Sequence, residues 1–482
     1  MRILVVDVGT SGVRAAVVHP DATLAAVEHR PVPPSSPAPG FVEFDPVALA
    51  DATLAVARAV LEEGGPADAV GIANQRASTV VWDRATGVPV GPGVGWQDLR
   101  TAAMCLALHD RGLRLAPSES ATKLAFLLDL ADPHRQRDLC FGTVDTWVAW
   151  ALSEGTAHVT DLSNAGLTGL LEEDASGWAA LPLEVLRVPE SVLPTIVDSS
   201  GVAAEASALP GAPPIAGLAG DQQASLVGQG CTLPGLAKVT FGTGGMLDFC
   251  VGSQRPTFAR RGRRGTFPIV AWRRAGAVTW GLEAVMLTAG QAVEWLRDDL
   301  GVLADAAESA TVAAACESTD GVFFVPAFLG LGAPDWDFGA RGALLGLTRG
   351  TGRAQLVRAV LEGVAHRGAD LVEAVEADGG ATIDTLRVDG GMSANPVFLQ
   401  ALADAAQRPV EVSPVVEATT LGAAFLAGLA VSTWADMEEI AATWHPARVV
   451  EPRPRSGAAR ERWREACTRA RGWVPELSAI EF

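Results

Sequence analysis

Two segments of this sequence have the composition of an anion cradle: Asp7-Val8-Gly9-Thr10-Ser11-Gly12 and Gly242-Thr243-Gly244-Gly245. A Gly-Thr turn offers several backbone N–H groups and a hydroxyl to a phosphate, and glycine permits close approach. Hairpins need glycine for their own geometry, so either turn alone reads first as plain structure. Two of them make sense together on opposite sides of a polyphosphate. Asp389-Gly390-Gly391, opening a helix, is a third nucleotide candidate. Asp221 follows a nearly uncharged run and precedes Gln222 and Gln223. It is either a helix N-cap or the general base for a hydroxyl group, which needs a carboxylate within hydrogen-bond reach of the alcohol. Arg76 either positions a substrate oxygen or salt-bridges a surface carboxylate. Trp96-Gln97-Asp98-Leu99-Arg100 is either a pocket wall with paired charges or packing around one tryptophan.

The elements that must carry these residues are legible in the apolar runs. Ile3–Val6 and Val13–Val18 flank the first turn, and Leu236–Phe241 and Met246–Val251 flank the second, as strand, turn and strand. This recurrence, one near the start of each half, predicts two related domains facing each other. Ala69–Ala73, Ile215–Ala219 and Leu386–Val388 read as further strands, leading into Asn74-Gln75-Arg76, Gly220-Asp221 and Asp389-Gly390. Polar or glycine residues thus stand at strand carboxyl ends, where open α/β sheets place ligands. A helix is expected from Pro396, another over Arg353–Ala377 from its 3.6-residue apolar period, and a buried one within Ala418–Ala435. Pro31–Pro39 reads as a loop, Glu451–Gly457 as a linker, and Arg460–Arg471 as a solvated or packed helix.

Composition excludes several classes. The 482 residues suffice for two domains, and 49% hydrophobic content supports real cores. A net charge of −19 argues against a nucleic-acid or anionic-membrane partner. Lys123 and Lys238 are the only lysines, neither in a phosphate-loop or V-A-I-K context, and no H-R-D, H-E-x-x-H or G-x-S-x-G occurs. The six cysteines form no C-x-x-C pair, and Met1–Gly9 reaches Asp7 too soon for a secretory apolar region, so the cytoplasm is expected.

The chain resembles the FGGY carbohydrate kinases, the glycerol kinase branch most closely, from Ile3 to about Trp434. The resemblance is carried by Gly40-Phe41-Val42-Glu43-Phe44-Asp45-Pro46, by Asn74-Gln75-Arg76 through Val80-Val81-Trp82-Asp83-Arg84, and by Phe141-Gly142-Thr143-Val144-Asp145-Thr146-Trp147. Gly220-Asp221-Gln222-Gln223, Pro326-Ala327-Phe328 with Gly330-Leu331-Gly332-Ala333-Pro334, and Arg341-Gly342-Ala343 through Gly346-Leu347-Thr348-Arg349-Gly350 also match. It implies an α/β fold of two ribonuclease-H-like domains of the actin/hexokinase ATPase superfamily, with ATP, Mg²⁺ and a small polyol or sugar in the cleft between them. The expected boundaries are 1–229 on the substrate side, 230–434 on the nucleotide side, and a C-terminal linker and helix at 435–482. Carried over by motif, Thr10, Ser11, Gly12 and Arg14 face the phosphates and Asp7 helps hold Mg²⁺. Gly242 and Thr243 approach the phosphates from the other domain, while Gly290, Gly391 and Asn395 line the adenosine site. Asp221 is the base, with Gln222, Arg76 and Trp96 on the substrate.

Three positions depart from the family's pattern. Ala77 stands where glycerol kinases carry a glutamate that binds two substrate hydroxyls, and Ser118 where they carry a tyrosine. Glu294 replaces a glutamine near the nucleotide. Losing a charged hydrogen bond to a buried hydroxyl costs about 1.5–3 kcal/mol, so the substrate shell is expected to be reshaped, with a tetritol, pentitol or ketose as the alternative acceptor. A catalytically silent ATP-binding regulator and an actin-like or chaperone ATPase are the readings from other classes. Retention of Asp7, Thr10, Asp221 and Thr243 argues against the first, and the substrate-side motifs at Arg76 and Trp96 against the second. A homo-oligomer is compatible with the sequence.

Overall fold

The computed structural model describes residues 1–454 and 458–480, so residues 455–457 of the expected linker lie outside the described residues. One thirteen-stranded sheet runs through the molecule. Its first half holds β1 (Ile3–Val8), β2 (Gly12–Val18), β3 (Leu24–Pro31), β4 (Ala69–Asn74), β5 (Ser200–Glu205) and β6 (Pro214–Gly220). Its second half holds β7 (Ala237–Phe241), β8 (Gly245–Gly252), β9 (Phe267–Arg274), β10 (Ala277–Met286), β11 (Leu386–Asp389), β12 (Val410–Val412) and β13 (Arg448–Val450). The spatial order is β13-β12-β11-β7-β8-β10-β9-β5-β6-β4-β1-β2-β3.

Each half repeats one plan. A hairpin, β1-β2 or β7-β8, is extended by an antiparallel strand, β3 or β10. Two parallel strands follow on the other side of the hairpin's first strand: β4 and β6 in one half, β11 and β12 in the other. The two halves of the sheet join at one residue pair, Ser200 of β5 with Arg274 of β9. The recurrence of the Gly-Thr turn in the sequence is therefore a recurrence of topology.

Alternation along the strands decides what covers them. Leu4, Val6 and Val8 share a core with Val56 and Val60 of α1 (Pro46–Gly64). Ile3 and Val5 point to the opposite face, onto Phe425 and Leu426. The Asp45 side chain caps α1 by accepting from the Val47 and Ala48 N–H groups, and Pro46 fills the first turn. Further helices are α2 (Ala121–Ala131), α3 (Val144–Leu152), α4 (Asp221–Gly228), α5 (Gln291–Asp298), α6 (Arg353–Gly379), α7 (Pro396–Ala406), α8 (Ala418–Ala430) and α9 (Ala458–Ala470). In the second half, Val239, Phe241 and Leu282 pack with Val360 and Val364 of α6 and Phe398 of α7.

α8, the buried uncharged helix, lies directly on the first half's sheet and on α4. Small residues permit this: a Cβ at Gly217 would stand 2.5 Å from the Ala427 nitrogen, and one at Gly422 would collide with the Ala224 carbonyl. The Arg-rich segment is a packed helix. Trp463 of α9 is fully buried, stacks on His366 at 5.0 Å and donates to Asp370, while Arg460 pairs with Asp370 and Glu373 at 2.6 and 2.7 Å.

Candidate active site

β4 and β6 run parallel with Asn74 opposite Gly220, so the residues just past their carboxyl ends emerge together. Those residues are Arg76 and Asp221, and the Arg76 Nε lies 3.3 Å from Asp221 Oδ1. Asp221 is the first residue of α4, with Gly220 as N-cap; its Oδ1 accepts from the Gln222 N–H at 2.8 Å rather than capping the helix. About a third of its side chain stays exposed (32%), open to a ligand. Burial raises the Asp221 carboxyl above its ordinary value, and Arg76 opposes that rise. Asp7, near the end of the neighbouring β1, is pushed up to about 7, first by burial and then by the Asp221 charge, with Arg14 pulling the other way.

A wall beside this pair is built from three loops. Ala77 is buried and sits in the left-handed region at φ +59°, held by hydrogen bonds to its carbonyl from Ser120 Oγ (2.9 Å) and Thr79 Oγ1 (3.2 Å). Lys123 of α2 donates to the carbonyls of Trp96 and Ser118, both at 3.2 Å, tying those segments together. Burial lowers its ammonium to about 7. Trp96 Nε1 donates to Thr10 Oγ1 at 3.3 Å, which joins the wall to the first Gly-Thr turn. The charges after Trp96 are paired: Asp98 takes Arg100 at 2.8 Å, and Arg100 also meets Glu43 at 2.8 Å.

The first turn closes through Gly9 N–H to the Gly12 carbonyl at 3.0 Å, leaving Ser11 exposed. Gly12 itself is buried, and a Cβ there would stand 2.7 Å from the Arg30 carbonyl of β3, so strand packing alone requires glycine. Arg14 forms an ion pair with Glu417, at the start of α8. In the second turn the Gly242 carbonyl accepts from Gly290 N–H and the Thr243 carbonyl from Ala289 N–H, both at 2.8 Å, which seats the turn on α5 and leaves the Thr243 side chain exposed. Gly390, at φ +86°, lies against the Phe241 backbone, and Gly391 has open space around its Cα. Asn395 spends its oxygen capping α7 (Val397 and Phe398 N–H at 3.0 and 3.1 Å) and donates to Ser309 Oγ at 3.0 Å. Glu294 lies on α5 and is exposed.

The geometry therefore brings together Asp7, Arg76, Asp221 and Gln222, links Trp96 to Thr10, and joins Gly242 and Thr243 to Gly290. Reading the sequence did not find Glu283, whose Oε2 lies 2.7 Å from Arg76 NH1, or Lys238, which donates to Gln222 Oε1 at 2.6 Å. Each is a charged residue within a mostly apolar strand, which marks the position as unusual but does not say what it meets.

A duplicated α/β fold, with a carboxylate–arginine pair at adjoining strand ends and a Gly-Thr turn from each half, defines a two-domain phosphotransferase of the actin/hexokinase ATPase type. The N-terminal domain model of the FGGY family of carbohydrate kinases matches residues 2–228, and its C-terminal domain model residues 237–431. The chain belongs to the FGGY family, and it is an enzyme that transfers phosphate to an alcohol group. It is 43% identical to the glycerol kinase of Aromatoleum aromaticum, over 98% of this chain and 99% of that protein. It is 42% identical to glycerol kinase 2 of Thermotoga maritima over the same shares. The crystal structure of Plasmodium falciparum glycerol kinase with ADP superposes with a TM-score of 0.91 at 27% identity, covering 100% of this chain and 99% of that one. Among the described residues no helix is long and apolar enough to cross a membrane.

Proposed function

We propose that the enzyme transfers the γ-phosphate of ATP to a hydroxyl of glycerol or a closely related small polyol, with Asp221 as general base. The observation that carries this is the placement of Asp221 beside Arg76 at adjoining strand ends, facing Asp7. Asp221 receives the hydroxyl proton, and its raised carboxyl makes it the stronger base. Arg76 and Gln222 hold the acceptor oxygens, with Trp96, Ala77 and Ser118 as the pocket wall. Thr10, Ser11, Gly12 and Arg14 from one half, and Gly242 and Thr243 from the other, meet the phosphates. Gly290, Glu294, Gly391 and Asn395 border the adenosine.

Asp7 fits a Mg²⁺ ion: burial first, and the nearby Asp221 charge second, make its bare carboxylate costly, and a divalent cation held there would relieve that cost. When bound, that ion neutralises charge building on the transferring phosphoryl group. The division at 1–229, 230–434 and 435–482 puts acceptor groups in the first domain and adenosine groups in the second. A cytoplasmic ATP supply suits this reading.

The test is an ADP-release assay with Mg·ATP against glycerol, erythritol, threitol, C5 polyols, xylulose, ribulose and dihydroxyacetone. Glycerol is expected to give the highest kcat/KM. Preference for a longer polyol or a ketose would overturn glycerol, trace to Ala77 and Ser118, and leave the kinase standing. Asp221→Asn is expected to lower kcat by about 10²–10⁴-fold with ATP affinity nearly unchanged. Comparable turnover in that variant removes Asp221 from the base role.

A further inference from the structure

Three ionisable residues stand side by side across the second half's sheet. Lys238 of β7 is the register partner of Asp248 of β8, and Asp248 that of Glu283 of β10. Cross-strand partners share a face, and their neighbours Val239, Leu247 and Ala284 point into the apolar core on the other side. The row therefore points away from that core, and it meets groups of the first half. Lys238 and Asp248 are fully buried and Glu283 is nearly so.

The contacts are specific. Lys238 Nζ lies 2.7 Å from Asp248 Oδ2 and donates to Thr240 Oγ1 at 3.0 Å and Gln222 Oε1 at 2.6 Å. The ammonium thus hydrogen-bonds a hydroxyl and an amide oxygen and forms an ion pair with a carboxylate. With Oε1 turned to Lys238, the Gln222 amide N–H groups point elsewhere and are the part of the side chain oriented to donate to a substrate oxygen. Glu283 Oε2 holds Arg76 NH1 at 2.7 Å, while Arg76 Nε faces Asp221 at 3.3 Å. The guanidinium is thus stretched between a carboxylate of each half, with its plane set by both.

We propose that Lys238 and Glu283, both from the second half, are positioning residues for the acceptor: Lys238 fixes Gln222 as a hydrogen-bond donor, and Glu283 fixes the orientation of Arg76. Asp248 holds Lys238 in place through their 2.7 Å ion pair. This rests on the reading of Gln222 and Arg76 as acceptor ligands. A strand of one half thereby shapes the site presented by the other.

Lys238→Met alone would leave Asp248 buried without its cation, so the informative variant is Lys238→Met/Asp248→Leu, which replaces the pair by apolar side chains of similar size. The experiment measures steady-state kinetics of the full chain with the panel polyol of highest kcat/KM, alongside thermal melts. The folded double variant is expected to show a polyol KM raised about tenfold, with the ATP KM within about twofold. Adding Gln222→Ala to it should cost nothing further, because both changes remove the same contact. Glu283→Gln should lower polyol kcat/KM by about tenfold, and Glu283→Asp should recover less than the wild-type value. A double variant that melts normally, keeps the wild-type polyol KM and loses activity additively with Gln222→Ala overturns the proposal. A double variant that does not fold leaves Glu283→Gln to decide, and unchanged polyol kinetics there overturn it. A wild-type chain inactive on every polyol overturns the underlying reading, and this inference with it.

Discussion

His158 shows how burial sets a residue's chemistry. Its ring meets Trp82 and Trp150 edge-on, its Nε2–H donates to the Phe141 carbonyl at 2.7 Å, and its Nδ1 faces Arg84 NH1 at 3.3 Å. Burial chiefly, then the Arg84 charge, lowers its protonation from 6.5 to about 4. The unfolded chain therefore binds one more proton than the folded chain between about pH 4 and 6.5. Stability from this group is complete above 6.5 and is lost as pH falls through that window. His158→Gln should flatten the dependence of melting temperature on pH between 4 and 6.5, even if it lowers stability at every pH. An unchanged slope would assign the acid sensitivity to other groups. Asp221 and Asp7 follow the same physics with the opposite sign, since a buried carboxyl resists losing its proton.

At the scale of elements, α4 matters because its first residue is Asp221, and its position depends on α8. The two helices touch through glycine: a Cβ at Gly422 would collide with the Ala224 carbonyl, and one at Gly228 with the Ala418 carbonyl. Neither neighbour is a flexible side-chain end, so the helices must separate to admit a methyl group. Gly422→Ala is expected to cost about 1–3 kcal/mol of stability and to lower kcat, since α4 shifts with the strain. Denaturant unfolding and the ADP-release assay measure both. A variant as stable and active as wild type would show that the crossing tolerates slack.

Across the whole molecule, the halves are held by little continuous sheet and by several charged contacts. One is the Arg14–Glu417 ion pair, about a third exposed on both sides, between a proposed phosphate ligand and the helix covering the first half's sheet. In the proposed site the phosphates of ATP would compete with Glu417 for Arg14. Glu417→Gln should lower the ATP KM by up to about fivefold, the range of a partly exposed pair, and leave the polyol KM unchanged. At the far end α9 docks through Trp463, Arg460 and Arg464 onto Asp370 and Glu373 of α6. Trp463→Ala is expected to cost about 3–5 kcal/mol, seen as a lower denaturation midpoint with the polyol KM preserved in the folded fraction.

Strands, turns and ligand-bearing strand ends were legible because they depend on local order: apolar runs, glycine punctuation and a 3.6-residue period. β1, β4, β6, β7 and β11 lie within a residue or two of where the sequence placed them, and the two Gly-Thr turns announced the duplication. Arg76 and Asp221 could each be named, but each kept a bland alternative until the parallel pairing of β4 with β6 set them 3.3 Å apart. Glu283 and Lys238 could not be found in that way. Their significance comes from register across three strands and from the approach of the first half, contacts separated by many residues that no local pattern encodes. Composition and motif order alone thus determined the family and the topological repeat. Tertiary structure decided which charges meet, because burial and partner, not residue type, set what a carboxylate, an amide or a lysine can do.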